Sequence, residues 1–224
     1  GASGLLGLNV AMEASPTHEV IGQVNHNLLH SDAFQIVQSD LLAPREIQRL
    51  LDLTQPEWVI HCAALADIDA CERDPQQAQQ LNSEIARLLA RNVARSGARL
   101  LYVSTDAVFD GVRGGYTEED EPNPLSIYAR TKLAGEIAVA EEDPAAIIAR
   151  VNLFGWSLSG TRSLAEFFFN RLSAGERCQG FTDVLFCPLL ANDLALIFLQ
   201  MLEASLRGLY HVVGSECLSK YEFG

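Results

Sequence analysis

The sequence predicts an α/β protein built on a doubly wound parallel sheet, with helices covering both faces of the sheet. Two observations lead to this prediction. Short runs rich in Val, Ile and Leu alternate along the chain with longer stretches of helical character. These runs lack the alternation of apolar and polar residues that marks a strand with one solvated face, so they fit strands buried on both sides.

The predicted elements of the first 150 residues follow in regular order. Strands are predicted at residues 18–24, 34–38, 57–64, 98–105 and 145–151. Helices are predicted between them at residues 5–14, 44–53, 75–96 and 126–142. Strand–helix–strand units connect through right-handed crossovers, which makes the predicted sheet parallel.

Residues 151–224 lack the regular alternation of strands and helices. They predict a smaller, incomplete α/β substrate part, interleaved with residues 1–150. A loop-like stretch leads into predicted helices at 164–173 and 192–206 and a strand at 208–213. The closing SKYEFG resembles the opening of a further helix. A glycine-rich helix start follows a strand in folds of this kind, so we expect the first strand to lie outside this sequence and the chain to be cut at both ends.

Composition and charge argue against several classes of partner. A formal net charge of −13 disfavours nucleic acid, which needs a basic surface. No run is long and apolar enough to predict a membrane span. The five cysteines are odd in number, widely spaced and without a C-x-x-C pair, which argues against a disulfide framework or a zinc site. We therefore expect a reducing compartment, a cytoplasmic protein and no metal.

The opening GASGLLG places three glycines, three residues apart, at the start of the first predicted helix. Glycines with this spacing let the backbone approach a pyrophosphate, and the helix N-terminus offers N–H groups to the anion. We therefore predict that residues 1–150 form a Rossmann-type dinucleotide-binding domain, with a purely structural helix start as the alternative. The predicted cofactor contacts in this segment are Gly1, Ser3, Gly4, Leu5 and Gly7.

Residues at the ends of other predicted strands complete the cofactor site. Ala63 and Ala64 are small enough for a ribose or a flat ring to lie close to the sheet edge, although tight packing alone would also explain them. Asp40, next to Leu41, would bond an adenine amino group or cap a helix start. The predicted strand at 18–24 runs into GQVNHN, with no carboxylate to repel a 2′-phosphate, which favours NADP(H) over NAD(H).

Tyr128 and Lys132 lie four residues apart in the predicted helix at 126–142, on the same helix face. A neighbouring cation favours the phenolate, so we expect Lys132 to lower the pKa of Tyr128 from its usual value of about 10. Such a phenol can exchange a proton near neutral pH. Thr105 ends the fourth predicted strand, where its hydroxyl would polarise a substrate carbonyl. The alternatives are a solvated helix face for the pair and ordinary turn chemistry for Thr105.

Taken together, GASGLLG, CAA, VSTDAVFDG and Y-x-x-x-K resemble the extended short-chain dehydrogenase/reductase superfamily. Within it, the stretch from STDAVFDG to YARTKLAGE is most similar to the dTDP-4-dehydrorhamnose reductase family, and residues 67–82 and 150–156 fit the same family. The resemblance implies a catalytic set of Thr105, Tyr128 and Lys132, with NADP(H) or NAD(H) reducing a 4-keto deoxysugar nucleotide. In that scheme Tyr128 donates the proton, and Lys132 also binds the nicotinamide ribose. A homodimer is compatible with it.

Two other functions fit the same motifs. A sugar-nucleotide epimerase or dehydratase of this superfamily would retain its cofactor and show no net redox change. The methionine adenosyltransferase beta subunit has the same overall pattern, so a non-catalytic NADP-binding regulatory subunit is the second alternative. The Phe-Cys-Pro sequence at residues 186–188 stands where the family often has a smaller, more polar pattern, so the sugar stays open.

Overall fold

The computed structural model describes all 224 residues and contains ten strands, most of them short. In chain order they are β1 (Ile21–Val24), β2 (Gln35–Gln38), β3 (Trp58–His61), β4 (Arg99–Thr105), β5 (Ile147–Val151), β6 (Leu153–Phe154), β7 (Leu185–Phe186), β8 (Leu189–Leu190), β9 (Gly208–Val212) and β10 (Leu218–Ser219). A four-stranded parallel sheet in the order β3-β4-β5-β9 forms the centre. The pairs β1–β2 and β6–β8 are parallel, and β7–β10 is antiparallel.

Nine α-helices connect and cover these strands. They are α1 (Leu5–Ala14), α2 (Glu46–Thr54), α3 (Ile68–Arg73), α4 (Pro75–Gln79), α5 (Ile85–Ser96), α6 (Ile127–Glu142), α7 (Leu164–Ser173), α8 (Ala191–Glu203) and α9 (Lys220–Phe223). A 3₁₀ turn at Asp106–Val108 follows β4. None of the helices has both the length and the apolar composition that crossing a membrane requires.

The core lies on both faces of the central sheet, as the continuous apolar runs predict. On one face, Leu101 and Ile147 pack with residues of α1 and α8. On the other face, Leu100, Tyr102 and Ile148 pack with residues of α2, α5 and α6. Neighbouring residues of β4 thus point to opposite layers. These two layers confirm the predicted doubly wound α/β fold.

β1 and β3 do not pair with each other. A cavity of about 640 Å³ lies between the β1–β2 pair and the central sheet, and Gly22 and Ile60 are among the residues that line it. Farther along the chain, β9 pairs with β5, so residues beyond 150 contribute a strand to the same sheet as the first 150. The division at residue 150 and the additional first strand stay predictions.

The predicted helix at residues 75–96 has the predicted bounds, but it is not α-helical throughout. A π-helical turn at Gln80–Glu84 separates α4 from α5. The extra residue in this turn brings Asn82 inward, where it is fully buried. Its side chain bonds the backbone N–H of Leu65 at 2.8 Å and the Thr131 hydroxyl at 3.0 Å. A polar side chain with buried partners on two elements therefore explains the interruption.

The cysteine spacing argues against a disulfide framework, yet the structure has one disulfide, between Cys187 and Cys217. The two cysteines are 30 residues apart in sequence, which conceals their proximity. β7 and β10 pair antiparallel with Phe186 opposite Leu218, so the next residues outward, 187 and 217, face each other. The cysteine pattern therefore no longer supports a reducing compartment. Cys62, Cys71 and Cys178 are free thiols.

Gly135 lets α6 approach its neighbours closely, and we expect Gly135→Ala to destabilise the fold. A Cβ at this position would lie 2.5 Å from the Asn82 carbonyl oxygen and would collide with the Tyr102 hydroxyl. Overpacking of this kind costs roughly 1–3 kcal/mol, although Ala is otherwise favoured over Gly in a helix by about 1 kcal/mol. Urea unfolding measures the difference. A variant more stable than the parent would contradict the close packing.

Candidate active site

The start of α6 sets the direction of the Tyr128–Lys132 face. The Ser126 hydroxyl accepts a hydrogen bond from Ala129 N at 3.1 Å, so the sequence-predicted cap is present. Glu72 accepts a second bond from Ile127 N at 2.7 Å. With two of its free N–H groups satisfied, the helix begins at Ile127, and its next turns pack against β4.

Lys132 is buried between α6 and β4, with only 3% of its surface exposed. Its ammonium donates a hydrogen bond to the Val103 carbonyl at 2.7 Å and lies 4.1 Å from the centre of the Tyr102 ring. Burial lowers the pKa of Lys132 to about 7, against the charge of Glu136, which raises it. Near neutral pH, Lys132 is therefore divided between its charged and its neutral form.

Tyr128 and Thr105 come together at the carboxyl end of β4, as predicted. Burial raises the pKa of Tyr128 to about 12, while a hydrogen bond with Thr105 acts in the opposite direction. The expectation of a lowered pKa is wrong for this structure, because burial of the phenol and the nearby Asp106 carboxylate both raise its pKa. The Thr105 hydroxyl also accepts from Ala107 N at 3.1 Å, so it caps the 3₁₀ turn.

Asp106 and Asn152 belong to the same cluster, although the sequence analysis gave neither a role in the site. Thr105 donates to Asp106 Oδ1 at 3.3 Å, and Asn152 Nδ2 donates to Asp106 Oδ2 at 2.6 Å. Asn152 directly follows β5, the neighbour of β4 in the sheet. Because carboxyl ends of adjacent parallel strands meet at one edge, this position was the signal available in the sequence.

The glycine segment lies against the end of β3. A Cβ at Gly1 would come 2.7 Å from Ala63 N, and one at Gly7 would collide with the Gly1 carbonyl. Both positions therefore require a glycine, which has no side chain. α1 begins after Gly4 with no side-chain cap and no acidic residue in its first turn, which leaves its N–H groups free for an anion. Ser3 is half-buried beside this helix start, and Leu5 packs on the core.

The remaining predicted cofactor residues are Asp40, Leu41 and Ala64. Asp40 Oδ1 accepts from Leu42 N at 3.0 Å and closes an exposed turn. It does not cap α2, whose N-cap is Arg45. Leu41 packs against the core, and Ala64 is exposed.

Gln23 links the end of β1 to both sides of the site. Its amide nitrogen donates to Ser39 O at 2.7 Å, and its oxygen accepts from Gly1 N at 2.8 Å. Ser39 directly precedes Asp40, so the turn after β2 is tied to the glycine segment through one side chain. No group of three or more His, Cys, Asp or Glu side chains is arranged to hold a metal ion.

Comparison with known proteins places this geometry in a family. Residues 1–224 match the RmlD substrate binding domain. A probable low-salt glycan biosynthesis reductase, Agl14 of Haloferax volcanii, is 33% identical over 100% of the chain and 76% of its own length. The methionine adenosyltransferase 2 beta subunit of Bos taurus is 34% identical over 83% of the chain. The chain spans 58% of that subunit's length.

Solved structures agree with this result. A hypothetical dTDP-4-dehydrorhamnose reductase from Sulfolobus tokodaii superimposes with a TM-score of 0.88 at 30% identity, over 99% of this chain and 77% of that one. The dTDP-4-dehydrorhamnose reductase of Bacillus anthracis, solved in complex with NADP, gives 0.84 at 28% identity, over 100% of this chain and 75% of that one. The chain therefore belongs to the RmlD substrate-binding domain family, as its motifs indicate.

Proposed function

We propose that this chain carries the active site of an NAD(P)H-dependent reductase acting on a 4-keto deoxysugar nucleotide, similar to dTDP-4-dehydrorhamnose reductases. One observation supports the proposal above the others. Thr105 of β4 and Tyr128 of α6 come together at the carboxyl edge of the sheet, and Lys132, one helical turn beyond Tyr128, bonds the Val103 carbonyl of the same strand. Ligands of open α/β sheets bind at this edge.

The residues at this edge fit a dinucleotide. The bare helix start at Gly4 offers N–H groups to a pyrophosphate, and the close contact of Gly1 with Ala63 keeps side chains out of the way. Ser3 and Leu5 would contribute N–H groups at the same place. When bound, the reduced nicotinamide supplies the hydride. No carboxylate follows β1, so we expect NADPH to bind at least as tightly as NADH.

Each residue of the cluster has a role in the proposed reduction. Tyr128, with its high pKa, stays protonated at neutral pH and gives its proton to the developing alkoxide. Thr105 would donate to the substrate carbonyl oxygen by turning its one hydroxyl proton away from Asp106 Oδ1, its acceptor in this structure, while Asn152 holds the Asp106 carboxylate. Lys132 would hold the ribose hydroxyls and stabilise the tyrosinate left after proton transfer, because its positive charge opposes the negative one.

The similarity to methionine adenosyltransferase beta subunits favours one second candidate, a regulatory subunit that binds NADP(H) without turnover. Two measurements on the same sample separate the candidates. Calorimetry reports NADPH binding, and absorbance at the nicotinamide band reports its oxidation when a 4-keto sugar nucleotide is added. Binding together with oxidation supports the reductase, whereas binding without oxidation supports the regulatory subunit.

Gly4→Val is expected to weaken NADP(H) binding roughly tenfold or more. The backbone of Gly4 is extended, with φ of −78°, and a Cβ there has 3.3 Å to the Gly1 carbonyl, so the variant can fold. The added methyl groups would nevertheless stand in front of the free N–H groups of α1. Calorimetry with NADPH measures the loss, with Gly4→Ala as the milder control. An unchanged affinity in Gly4→Val would remove this segment from the cofactor site.

The pH profile of the reduction should fall on its alkaline side as pH rises through about 7, where Lys132 loses its proton. Its depressed pKa leaves the ammonium charged below that pH and neutral above it. Tyr128 stays protonated up to about pH 12, so it does not set this limb. The value of kcat/KM should drop about tenfold for each pH unit above the limb. A profile that stays flat to pH 9 would contradict the role given to Lys132.

A further inference from the structure

Glu136 and Arg150 form a buried ion pair that the proposed reaction does not use directly. The two side chains are 6% and 4% exposed. Arg150 Nη2 donates to Glu136 Oε2 at 2.7 Å, and Arg150 Nε donates to Oε1 at 3.0 Å. The Ser104 hydroxyl donates to the same Oε1. The carboxylate of α6 is therefore held by side chains of β4 and β5 together.

This carboxylate lies one helical turn beyond Lys132 on the same side of α6. The two side chains reach adjacent residues of β4, because Lys132 bonds the carbonyl of Val103 and Glu136 bonds the hydroxyl of Ser104. Lys132 thus has a neutral carbonyl and an aromatic ring as its direct contacts. Its ammonium has no carboxylate in contact, so a nearby negative charge matters for its protonation.

Other titratable groups around Lys132 are neutral at pH 7. Burial lowers the pKa of His61, on β3, to about 3 and raises the pKa of the adjacent Cys62 to about 11. Burial also keeps the phenols of Tyr102 and Tyr128 protonated. The charged side chains that remain are Arg150 and Glu136, and of these only Glu136 is negative.

We propose that Glu136 is a positioning residue for the reductase reaction, whose carboxylate keeps the buried Lys132 ammonium charged while Arg150 and Ser104 hold that carboxylate in place. The catalytic consequence rests on the proposed function. The electrostatic coupling of Glu136 to Lys132 is a property of this chain and can be measured without substrate. A purely structural ion pair would anchor α6 to the sheet and leave the protonation of Lys132 unchanged.

The composition of the chain makes the coupling directly measurable. Lys132 and Lys220 are the only lysines in the 224 residues, so selective labelling with ¹³C-lysine gives two titrating signals. Comparison with Lys132→Met assigns them. In Glu136→Gln we expect the Lys132 signal to titrate about one pH unit lower than in the parent protein. The alkaline limb of kcat/KM should move by the same amount.

A matched pair on the same helix supplies the control. Glu142 at the end of α6, ten residues beyond Lys132, accepts from Arg91 at 2.9 Å in a bidentate ion pair that is more exposed than the Glu136–Arg150 pair. Glu142→Gln should leave the Lys132 titration unchanged. Glu136→Asp, which keeps the charge, should restore most of the parent behaviour.

Because Glu136→Gln leaves Arg150 buried without a counter-ion, it can fail to fold. The double variant Glu136→Gln/Arg150→Met removes both charges and should also lower the titration of Lys132. A Lys132 signal that titrates as in the parent protein, in either variant, would overturn the proposal. A lowered titration in a protein with no reductase activity would count against the proposed function, yet still support the coupling.

Discussion

Tyr128→Phe is expected to lower kcat about 10²–10⁴-fold, the usual contribution of general acid catalysis, while the protein stays folded. The substitution keeps the ring and its packing and removes only the transferable proton. Removing the phenol hydroxyl leaves Thr105 with its partners Asp106 and Ala107. Steady-state reduction of a 4-keto sugar nucleotide measures kcat, and thermal unfolding confirms the fold.

Tyr221→Phe is a suitable control for this experiment. Tyr221 is 63% exposed on α9, so the loss of its hydroxyl should leave kcat unchanged. Turnover of Tyr128→Phe within a few-fold of the parent protein would mean that Tyr128 is not the proton donor.

Lys132→Met should lower kcat roughly 10²–10³-fold, as loss of a preorganised charge commonly does, and should weaken NADPH binding as well. One ammonium serves both tasks in the proposed site. Met fills much of the same buried volume without a charge to desolvate, so the variant should unfold no earlier than the parent protein. Kinetics, calorimetry and thermal unfolding report the three quantities separately.

The other lysine and the double variant test the specificity of this effect. Lys220→Met, in the terminal helix α9, should change neither kcat nor NADPH affinity. The double variant Tyr128→Phe/Lys132→Met should be little slower than the slower single variant, since residues that act as a unit are not additive. Fully additive losses would mean that the two side chains act independently.

The fold and the candidate catalytic cluster are predictable because short stretches of sequence determine them. The continuous apolar runs at β4 and β5 predict strands buried on both faces, and the structure packs both faces of the sheet. Ser126 predicts the start of α6, and the four-residue spacing then places Tyr128 and Lys132 on one face. Thr105 joins them because parallel strands end at one edge of the sheet.

What the sequence does not predict depends on contacts between distant segments. Asn82 changes the geometry of a long helix because its hydrogen-bond partners lie on another loop and on α6. The spacing of residues within the helix does not predict these distant contacts. Cys187 meets Cys217 only through the pairing of two-residue strands. The pKa of Tyr128 depends on how deeply the phenol is buried, and spacing along a helix carries no information on depth. The role of Glu136 requires Arg150 on β5, 14 residues away.

The most direct test of the central claim is the oxidation of NADPH by the protein that carries this chain, in the presence of dTDP-4-dehydrorhamnose and a panel of related 4-keto sugar nucleotides. The proposed reductase should consume one NADPH for each 4-hydroxy sugar nucleotide formed with at least one member of the panel. Tyr128→Phe, measured alongside, should be slower by about 10²-fold or more. Tight binding of NADPH with no oxidation against any member of the panel would contradict the claim and identify the chain as a binding subunit.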